Sequence, residues 1–179
     1  MTVSWVGQVL DFWFGLSPEQ WWRGGPELDA LCLDQFVDLH AEKRQLPPES
    51  FLGDARTALA AVILFDQLPR NMFRGHADQF MTDLLALAIA KGAVERGYDD
   101  QLTKDEKTFL YMPFQHSEVL ADQQRSLALF TALGDDWLLG FAKKHFELIE
   151  RFGRFPHRNQ MLGRAPRPAE IDAGDVKPW

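Results

Sequence analysis

The first half of the chain contains eight consecutive apolar residues, ALAAVILF at positions 58–65. A surface helix keeps polar residues on one face, whereas this run is apolar on every face, as is typical of a helix enclosed by other helices. Asp54 stands before the run, where an aspartate commonly caps a helix, and the helical pattern continues to about Leu68. We therefore predict a central helix over residues 54–68, surrounded by the rest of the fold.

Apolar residues recur at steps of three and four on both sides of this helix, a spacing that places side chains on one helical face. The clearest stripe runs from Leu138 to Phe152 and is followed by Gly153, a residue type that commonly ends helices. Ser17 and Thr103 each precede Gln or Glu by three residues, as in a capping box. No segment shows the period-two alternation of β-strands. The sequence predicts an all-α fold of antiparallel helical hairpins.

Two further helices are predicted from the positions of glycine and proline residues, which commonly end helices. One covers about residues 77–96 and is closed by Gly97, and another covers residues 117–133, after Pro113. His116 would then lie at the start of the second of these helices.

Length and composition indicate one globular domain. The chain has 179 residues, of which 46% are hydrophobic, so we expect a single domain over residues 1–179 with the arginine-rich segment 151–167 packed on it. The net charge of −7 argues against nucleic-acid binding, because most of the surface would repel a phosphate backbone. The single cysteine, Cys32, permits no internal disulfide, which favours a reducing cytoplasm.

Several classes of protein are disfavoured because their motifs are missing. The longest apolar run has eight residues, well short of the ~20 that cross a bilayer, and Asp11 interrupts the apolar N-terminal stretch, so neither a membrane segment nor a signal peptide is expected. The sequence has no Gly-x-Ser-x-Gly elbow, no phosphate-binding glycine-rich loop and no Gly-x-Gly-x-x-Gly. No two histidines have the spacing of a helical zinc motif. We expect no cofactor and no metal.

Two segments combine arginine with asparagine and contain no acidic residue, QLPRNMFRGH at 67–76 and the stretch 151–167. The second holds five of the twelve arginines of an otherwise acidic chain. Guanidinium groups match carboxylate and phosphate, and asparagine adds a donor and an acceptor. We predict that the two segments line one polar pocket for a small anion. Its ligand-binding residues would be Arg70, Asn71, Arg74, Arg151, Arg154, His157, Arg158 and Asn159.

Asp66, His116 and His145 are the candidates for acid–base chemistry, if the protein is an enzyme. Each also has a structural interpretation. Asp66 lies four residues before Arg70 and so suits a helical ion pair. His145 lies on an apolar stripe and suits a hydrogen-bonded core histidine, while His116 suits a cap. The arginines themselves would, in the structural alternative, pair with acids and with carbonyls at helix ends.

Motifs along nearly the whole chain resemble those of the family catalogued as domain of unknown function 924. They are VLDFWFG (9–15), WWR (21–23), DQLPRN (66–71), FRG (73–75), FLYMPFQHSE (109–118) and RFGRFPHRN (151–159). The resemblance covers residues 9–163 and implies an all-α, tetratricopeptide-repeat-like superhelix, found mostly in bacteria, without an established activity. After Gly163 the residues RAPRP (164–168) depart from the Ser/Thr-Pro-Glu-Glu helix start of that pattern.

Two functions of different classes remain open from the sequence. The first is binding of a small carboxylate or phosphate in the pocket of arginine, asparagine and histidine, with or without a reaction. The alternative is a tetratricopeptide-like scaffold whose groove takes a protein or peptide, an acidic peptide using the same arginines. A closed aromatic pocket would favour the small ligand, and an open groove would favour the peptide. A third interpretation is that the arginine network only holds the C-terminal segment in place.

Overall fold

The computed structural model describes residues 4–179, and all regular elements in this range are helical. The α-helices are α1 Trp5–Phe14, α2 Pro18–Arg23, α3 Pro26–Lys43, α4 Ala55–Val62, α5 Leu68–Met72, α6 Asp83–Glu95, α7 Lys104–His116, α8 Leu120–Leu133, α9 Asp136–Phe152, α10 Asn159–Leu162 and α11 Pro168–Ala173. Short 3-10 turns cover Pro48–Phe51, Ala77–Phe80, Tyr98–Gln101 and Pro156–Arg158, and a π-turn covers Ile63–Gln67. The prediction of an all-α fold is confirmed.

The chain divides into two compact units, the first ending at Leu110 and the second beginning at Tyr111. The expected single domain stays a prediction, and so does the likeness to tetratricopeptide repeats. Across residues 4–179, no helix is both long enough and apolar enough to pass through a membrane.

The core of the first unit is the central helical segment, which runs through α4, the π-turn and α5. Residues 58–65 are fully buried, as the apolar run predicted. Helices α1 and α6 pack against α4, and α3 packs against α5. Each large aliphatic side chain buried in this way stabilises the fold by about 1.5–3 kcal/mol. The segment is therefore the main hydrophobic contribution to the first unit.

The π-turn is a local adjustment to Pro69. Proline has no N–H, so the carbonyl of Phe65, four residues earlier, cannot receive its usual helical hydrogen bond. The Leu68 N–H donates instead to the carbonyl of Ile63, five residues back. The hydroxyl of Thr82 donates to the Phe65 carbonyl at 2.7 Å, so this buried acceptor remains satisfied. Helical structure consequently continues past the expected end at Leu68.

Two of the predicted helix boundaries are wrong. The segment 77–96 is interrupted before α6, because the Thr82 side chain turns inward to the Phe65 carbonyl. Helix α7 continues through Pro113, so His116 is the last residue of α7 and does not begin a helix. Ser117 lies in the following turn, where its hydroxyl accepts the Val119 N–H at 3.2 Å. Helix α8 begins after that turn.

The second unit is built on the hairpin of α8 and α9. Gly134 adopts a left-handed conformation with φ of 74° at the end of α8, and the Asp135 carboxylate then caps α9. The predicted stripe of α9 is buried except at Phe141, which is half-buried, and it includes His145, which is 7% exposed. Helix α11 begins at Pro168 although RAPRP departs from the family pattern, because the Glu170 carboxylate accepts the Arg167 N–H at 2.6 Å. The glutamate thus satisfies the N–H of the residue that precedes α11.

Candidate functional site

The first arginine-asparagine segment lies at the end of the central helix and binds carboxylates of its own unit. Arg70 donates two hydrogen bonds to Asp83, at 2.8 and 2.9 Å, and its guanidinium lies 3.6 Å from the Asp66 carboxylate. Asp66 is completely buried, and Gln67 Nε2 donates to it at 2.6 Å. The helical ion pair expected for Asp66 is therefore present, but the Arg70 guanidinium lies closer to the Asp83 carboxylate and to the Asp66 carbonyl, which accepts at 2.5 Å.

Asn71 and Arg74 share a different carboxylate, that of Asp29 on α3. Asn71 Nδ2 donates to Asp29 Oδ1 at 2.8 Å, and Arg74 donates through Nε and Nη2 at 2.6 and 2.9 Å. Burial alone would raise the pKa of Asp29, but the hydrogen bonds from Arg74 and Asn71 bring the pKa below its ordinary value. Gly24, with φ of 62°, supports this arrangement, since a Cβ there would lie 2.9 Å from Arg74 Nη2.

Arg154 and Asn159, from the second segment, both bind Glu170. Arg154 donates through Nε and Nη2 at 2.6 and 2.8 Å, and Asn159 Nδ2 donates at 3.1 Å. The hydrogen bonds from Arg154 lower the pKa of Glu170 to about 2. Glu170 is 4% exposed, so this group of contacts is an interior network of the second unit.

A second carboxylate, that of the half-buried Glu118, binds the loop that follows α9. Arg164 donates to both of its oxygens, at 2.7 and 3.0 Å, and the Phe155 N–H donates at 2.7 Å. Burial would raise the pKa of Glu118, but the hydrogen bonds from Arg164 and Phe155 lower it below the ordinary value. Arg164 also donates to Asn159 Oδ1 at 3.0 Å, which links this network to that of Glu170.

Side chains from the second segment and from α9 lie around one buried aromatic ring, that of Phe155. The guanidinium of Arg158 lies 4.6 Å from the ring centroid, and the imidazoles of His145 and His157 lie 5.5 and 5.6 Å from it. The His116 ring is 6.2 Å from that of His145. We call Arg158, His116, His145 and His157 the imidazole cluster.

Burial and mutual repulsion keep two members of the imidazole cluster uncharged. Burial, followed by the charge of His116, lowers the pKa of His145 to about 3. Burial and the charge of Arg158 lower the pKa of His157 to about 4. His145 Nδ1 lies 2.8 Å from the Phe141 carbonyl, which can only accept, so Nδ1 carries the proton and Nε2 keeps its lone pair. The interpretation of His145 as a hydrogen-bonded core histidine is confirmed.

Arg151 lies apart from these networks. It is exposed, and its guanidinium packs 4.7 Å from the ring of Phe152. Cys32 is buried, and burial raises the pKa of its thiol to about 12, which agrees with a packing role. Within residues 4–179, no three histidine, cysteine or acidic side chains form a group that could hold a metal ion.

The candidate residues lie in two different units of the chain. Arg70, Asn71, Arg74 and Asp66 belong to the first, and the remaining candidates belong to the second. A pocket formed jointly by both segments stays a prediction.

Sequence reasoning missed the acidic partners of the arginines and a buried polar pair in the first unit. Asp29 and Asp83 lie 45 and 13 residues from their arginines, so no local spacing reveals them. His40 Nε2 contacts Thr82 Oγ1 at 3.1 Å, and both residues are buried. Only Glu170 offered a local signal, since it stands three residues after Arg167 as in a capping box.

Comparison with known proteins places the chain in a family. A solved structure described as a protein of unknown function, ATU0120 from Agrobacterium tumefaciens, is similar to the chain with a TM-score of 0.86 and 39% sequence identity, over 94% of this chain and 95% of that one. No curated protein matches the chain. The family model described as "Bacterial protein of unknown function (DUF924)" matches residues 9–173. The chain therefore belongs to the DUF924 family.

Proposed function

We propose that the second unit binds a small anionic molecule, a carboxylate or a phosphate, at the imidazole cluster. One observation carries the proposal: the buried guanidinium of Arg158 and two uncharged imidazoles, one buried (His145) and one half-buried (His157), meet around the ring of Phe155. Arg158 and His145 are each 7% exposed. A cation with so little contact with water attracts an anion more strongly than a surface arginine does, because less solvent screens the interaction.

The imidazoles supply hydrogen-bonding nitrogens for an anion, in addition to the charge of Arg158. His157 Nδ1 is buried and has no hydrogen-bond partner within the described part of the chain, so it is placed to face a ligand. Burial lowers the pKa of His145 most, and repulsion by the charge of the neighbouring Arg158 lowers it further. An anion would offset that repulsion and raise the pKa of both imidazoles. Anion binding would therefore be coupled to proton uptake and would strengthen as the pH falls.

The other arginines are better explained by the structural alternative. Arg154 and Arg164 hold Glu170 and Glu118, and Arg70 and Arg74 hold Asp83 and Asp29, each through at least two hydrogen bonds. A guanidinium that already binds a carboxylate in this way has fewer donors for a ligand. We place ligand contacts at Arg158 and His157 because both lie against the Phe155 ring, at 4.6 and 5.6 Å, and acid–base chemistry, if any, at His145. A cytoplasmic location stays a prediction.

Calorimetry with inorganic phosphate and citrate tests the proposal, with Arg158→Gln as the variant. Arg125, exposed on α8, offers a matched control as Arg125→Ala. A ligand at 100 times its dissociation constant should add about 2.7 kcal/mol of stability, a shift of several degrees in melting temperature. We expect the shift in the wild type and in Arg125→Ala and its loss in Arg158→Gln.

A second readout separates binding from folding. Imidazole nitrogen shifts in NMR report the protonation of His145 and His157 directly, and the proposal requires the pKa of at least one of them to rise when the anion is added. Retention of the thermal shift in Arg158→Gln would contradict the proposal. So would unchanged imidazole shifts in the presence of an anion that binds.

A further inference from the structure

A groove with positively charged walls lies along α9, away from the imidazole cluster. Lys144, Leu148 and Arg151 line one side, at spacings of four and three residues that place them on one face of the helix. Residues 175–177, which follow α11, line the other side. The groove encloses about 390 Å³ and shares no residue with the imidazole cluster. It is therefore a separate candidate site.

The charges of the groove favour an anionic partner. The lining includes three cations, Lys144, Arg151 and Lys177, and two acids, Glu147 and Asp175, which leaves an excess of one positive charge in a chain of net charge −7. Lys177 Nζ lies 3.6 Å from Asp175 Oδ2, and these side chains are 47% and 80% exposed. An ion pair this exposed contributes about 0–1 kcal/mol, so a partner's carboxylate can displace it.

The apolar side chains of the groove favour a peptide over a small anion. Leu148 and Val176 lie among the lining residues, so a ligand that fills the groove would contact apolar as well as charged groups. A free carboxylate or phosphate would gain only exposed ion pairs, which are screened by salt. A peptide adds hydrophobic contacts and several carboxylates on one chain.

Two aromatic residues, the exposed Trp137 and the half-buried Phe141, extend this surface along the same helix. Lys144 Nζ lies 5.3 Å from the Phe141 ring, which makes an edge contact of 4.8 Å with Trp137, and Trp137 is 55% exposed. Trp137 and Arg151 are 14 residues apart, about 21 Å along a helix at ~1.5 Å per residue. An extended peptide of about six or seven residues spans that distance.

We propose that this surface binds an extended acidic segment of a partner protein. Carboxylates of the segment would lie on Lys144, Arg151 and Lys177, and an apolar side chain would lie on Phe141 and Trp137. The protein-interaction function that the sequence left open would then belong to this surface, independently of anion binding at the imidazole cluster.

Fluorescence anisotropy with a labelled heptapeptide of three leucines followed by four aspartates, which presents both kinds of side chain on each face of an extended chain, tests this proposal on the full-length protein at physiological salt. The variant Lys144→Ala/Arg151→Ala removes two cations of the groove, and Lys143→Ala, at an exposed neighbour on α9 that does not line the groove, is the matched control. We expect the double variant to bind at least about tenfold more weakly and the control to stay within about twofold of the wild type. Trp137→Ala should also weaken binding.

The sequence of the peptide supplies the second test. A heptapeptide of three serines followed by four aspartates carries the same charge without apolar side chains, and we expect it to bind at least about tenfold more weakly. Equal binding of the two peptides would overturn the proposal, because charge alone would then account for it. Failure of the leucine peptide to bind, or equal binding by the double variant, would overturn it as well.

Discussion

The Arg154 guanidinium and the Glu170 carboxylate form two hydrogen bonds, at 2.6 and 2.8 Å, across 16 residues of the chain. Their side chains are only 12% and 2% exposed. The same carboxylate accepts from Asn159 Nδ2 and from the Arg167 N–H. One acidic side chain therefore joins the end of α9, the start of α10 and the start of α11, and we infer that it fixes the path of the C-terminal segment.

Glu170→Gln should destabilise the second unit, because the amide keeps the size of the side chain but leaves Arg154 without its counter-charge. We expect the melting temperature, followed by circular dichroism, to fall by at least about 3 °C. Glu150→Gln removes an exposed carboxylate from α9 and is the control. Equal melting temperatures for the two variants would show that the Arg154 contact is not important for stability.

The same glutamate predicts a dependence of stability on acid. The pKa of Glu170 is lowered from 4.5 to about 2, chiefly by the hydrogen bonds from Arg154. The stabilisation is complete above the ordinary pKa and is lost as the pH falls toward the folded value, since only the unfolded chain takes up a proton in that interval. The melting temperature of the wild type should therefore fall more steeply between pH 5 and pH 3 than that of Glu170→Gln. Equal pH dependence of the melting temperature in the wild type and in Glu170→Gln would contradict this prediction.

Arg70 and Asp83 should show strong energetic coupling in the first unit. Their side chains are 20% and 16% exposed, and loss of one partner from a buried pair typically costs about 3–5 kcal/mol. We expect Arg70→Ala to lie near the lower end of that range, and a double-mutant cycle with Asp83→Asn to give about 1–3 kcal/mol of coupling in urea unfolding. Arg23→Ala breaks a pair with Glu19 that is 79% and 72% exposed, and should cost under about 0.5 kcal/mol. Comparable losses at Arg70 and Arg23 would contradict this expectation.

The features predicted correctly from the sequence are those whose cause is local. The capping box of Thr103 and Glu106 spans three residues, and both of its hydrogen bonds are present, at 2.9 and 3.3 Å. The stripe of α9 depends only on the helical period, so its burial could be foreseen.

The acidic partners could not be foreseen, because long-range packing brings them to the arginines. Arg74 and Asp29 are 45 residues apart, and nothing in the spacing of either residue indicates the other. Pro69 was visible in the sequence, but the π-turn before it and the partner of the Phe65 carbonyl depend on where α6 begins. The sequence thus shows that the arginine segments are unusual. Which of their arginines bind carboxylates of the protein itself can be read only from the three-dimensional contacts.

Thr82→Val should measure what it costs to remove the hydroxyl that donates to the Phe65 carbonyl and contacts His40 Nε2 at 3.1 Å. The hydroxyl of this buried threonine donates to that carbonyl at 2.7 Å, and valine preserves the shape while removing the donor. We expect a loss of about 1–3 kcal/mol in urea unfolding, with Thr82→Ser close to the wild type.

Thr108→Val is the matched control for this variant. Thr108 is also buried, but its hydroxyl donates to the carbonyl of Lys104 within α7, an acceptor that lies four residues back in the same helix. Removal of the Thr108 hydroxyl should lower the free energy of unfolding by less than removal of the Thr82 hydroxyl. A larger loss at Thr108 would show that the π-turn does not depend on Thr82.

His40 should make the first unit sensitive to mild acid. Burial, followed by the charge of Arg44, lowers the pKa of His40 from 6.5 to about 4. As the pH falls from 6.5 to 4, the unfolded chain takes up a proton that the folded chain does not, so the free energy of unfolding decreases, by at most about 1.4 kcal/mol per pH unit for one group. His40→Gln removes this contribution and should flatten the dependence in urea titrations at pH 7, 6 and 5. His76→Gln, at a side chain that is 69% exposed, is the control. If both variants retain the slope of the wild type, the acid sensitivity comes from other groups and the Thr82 contact does not hold His40 in its neutral form.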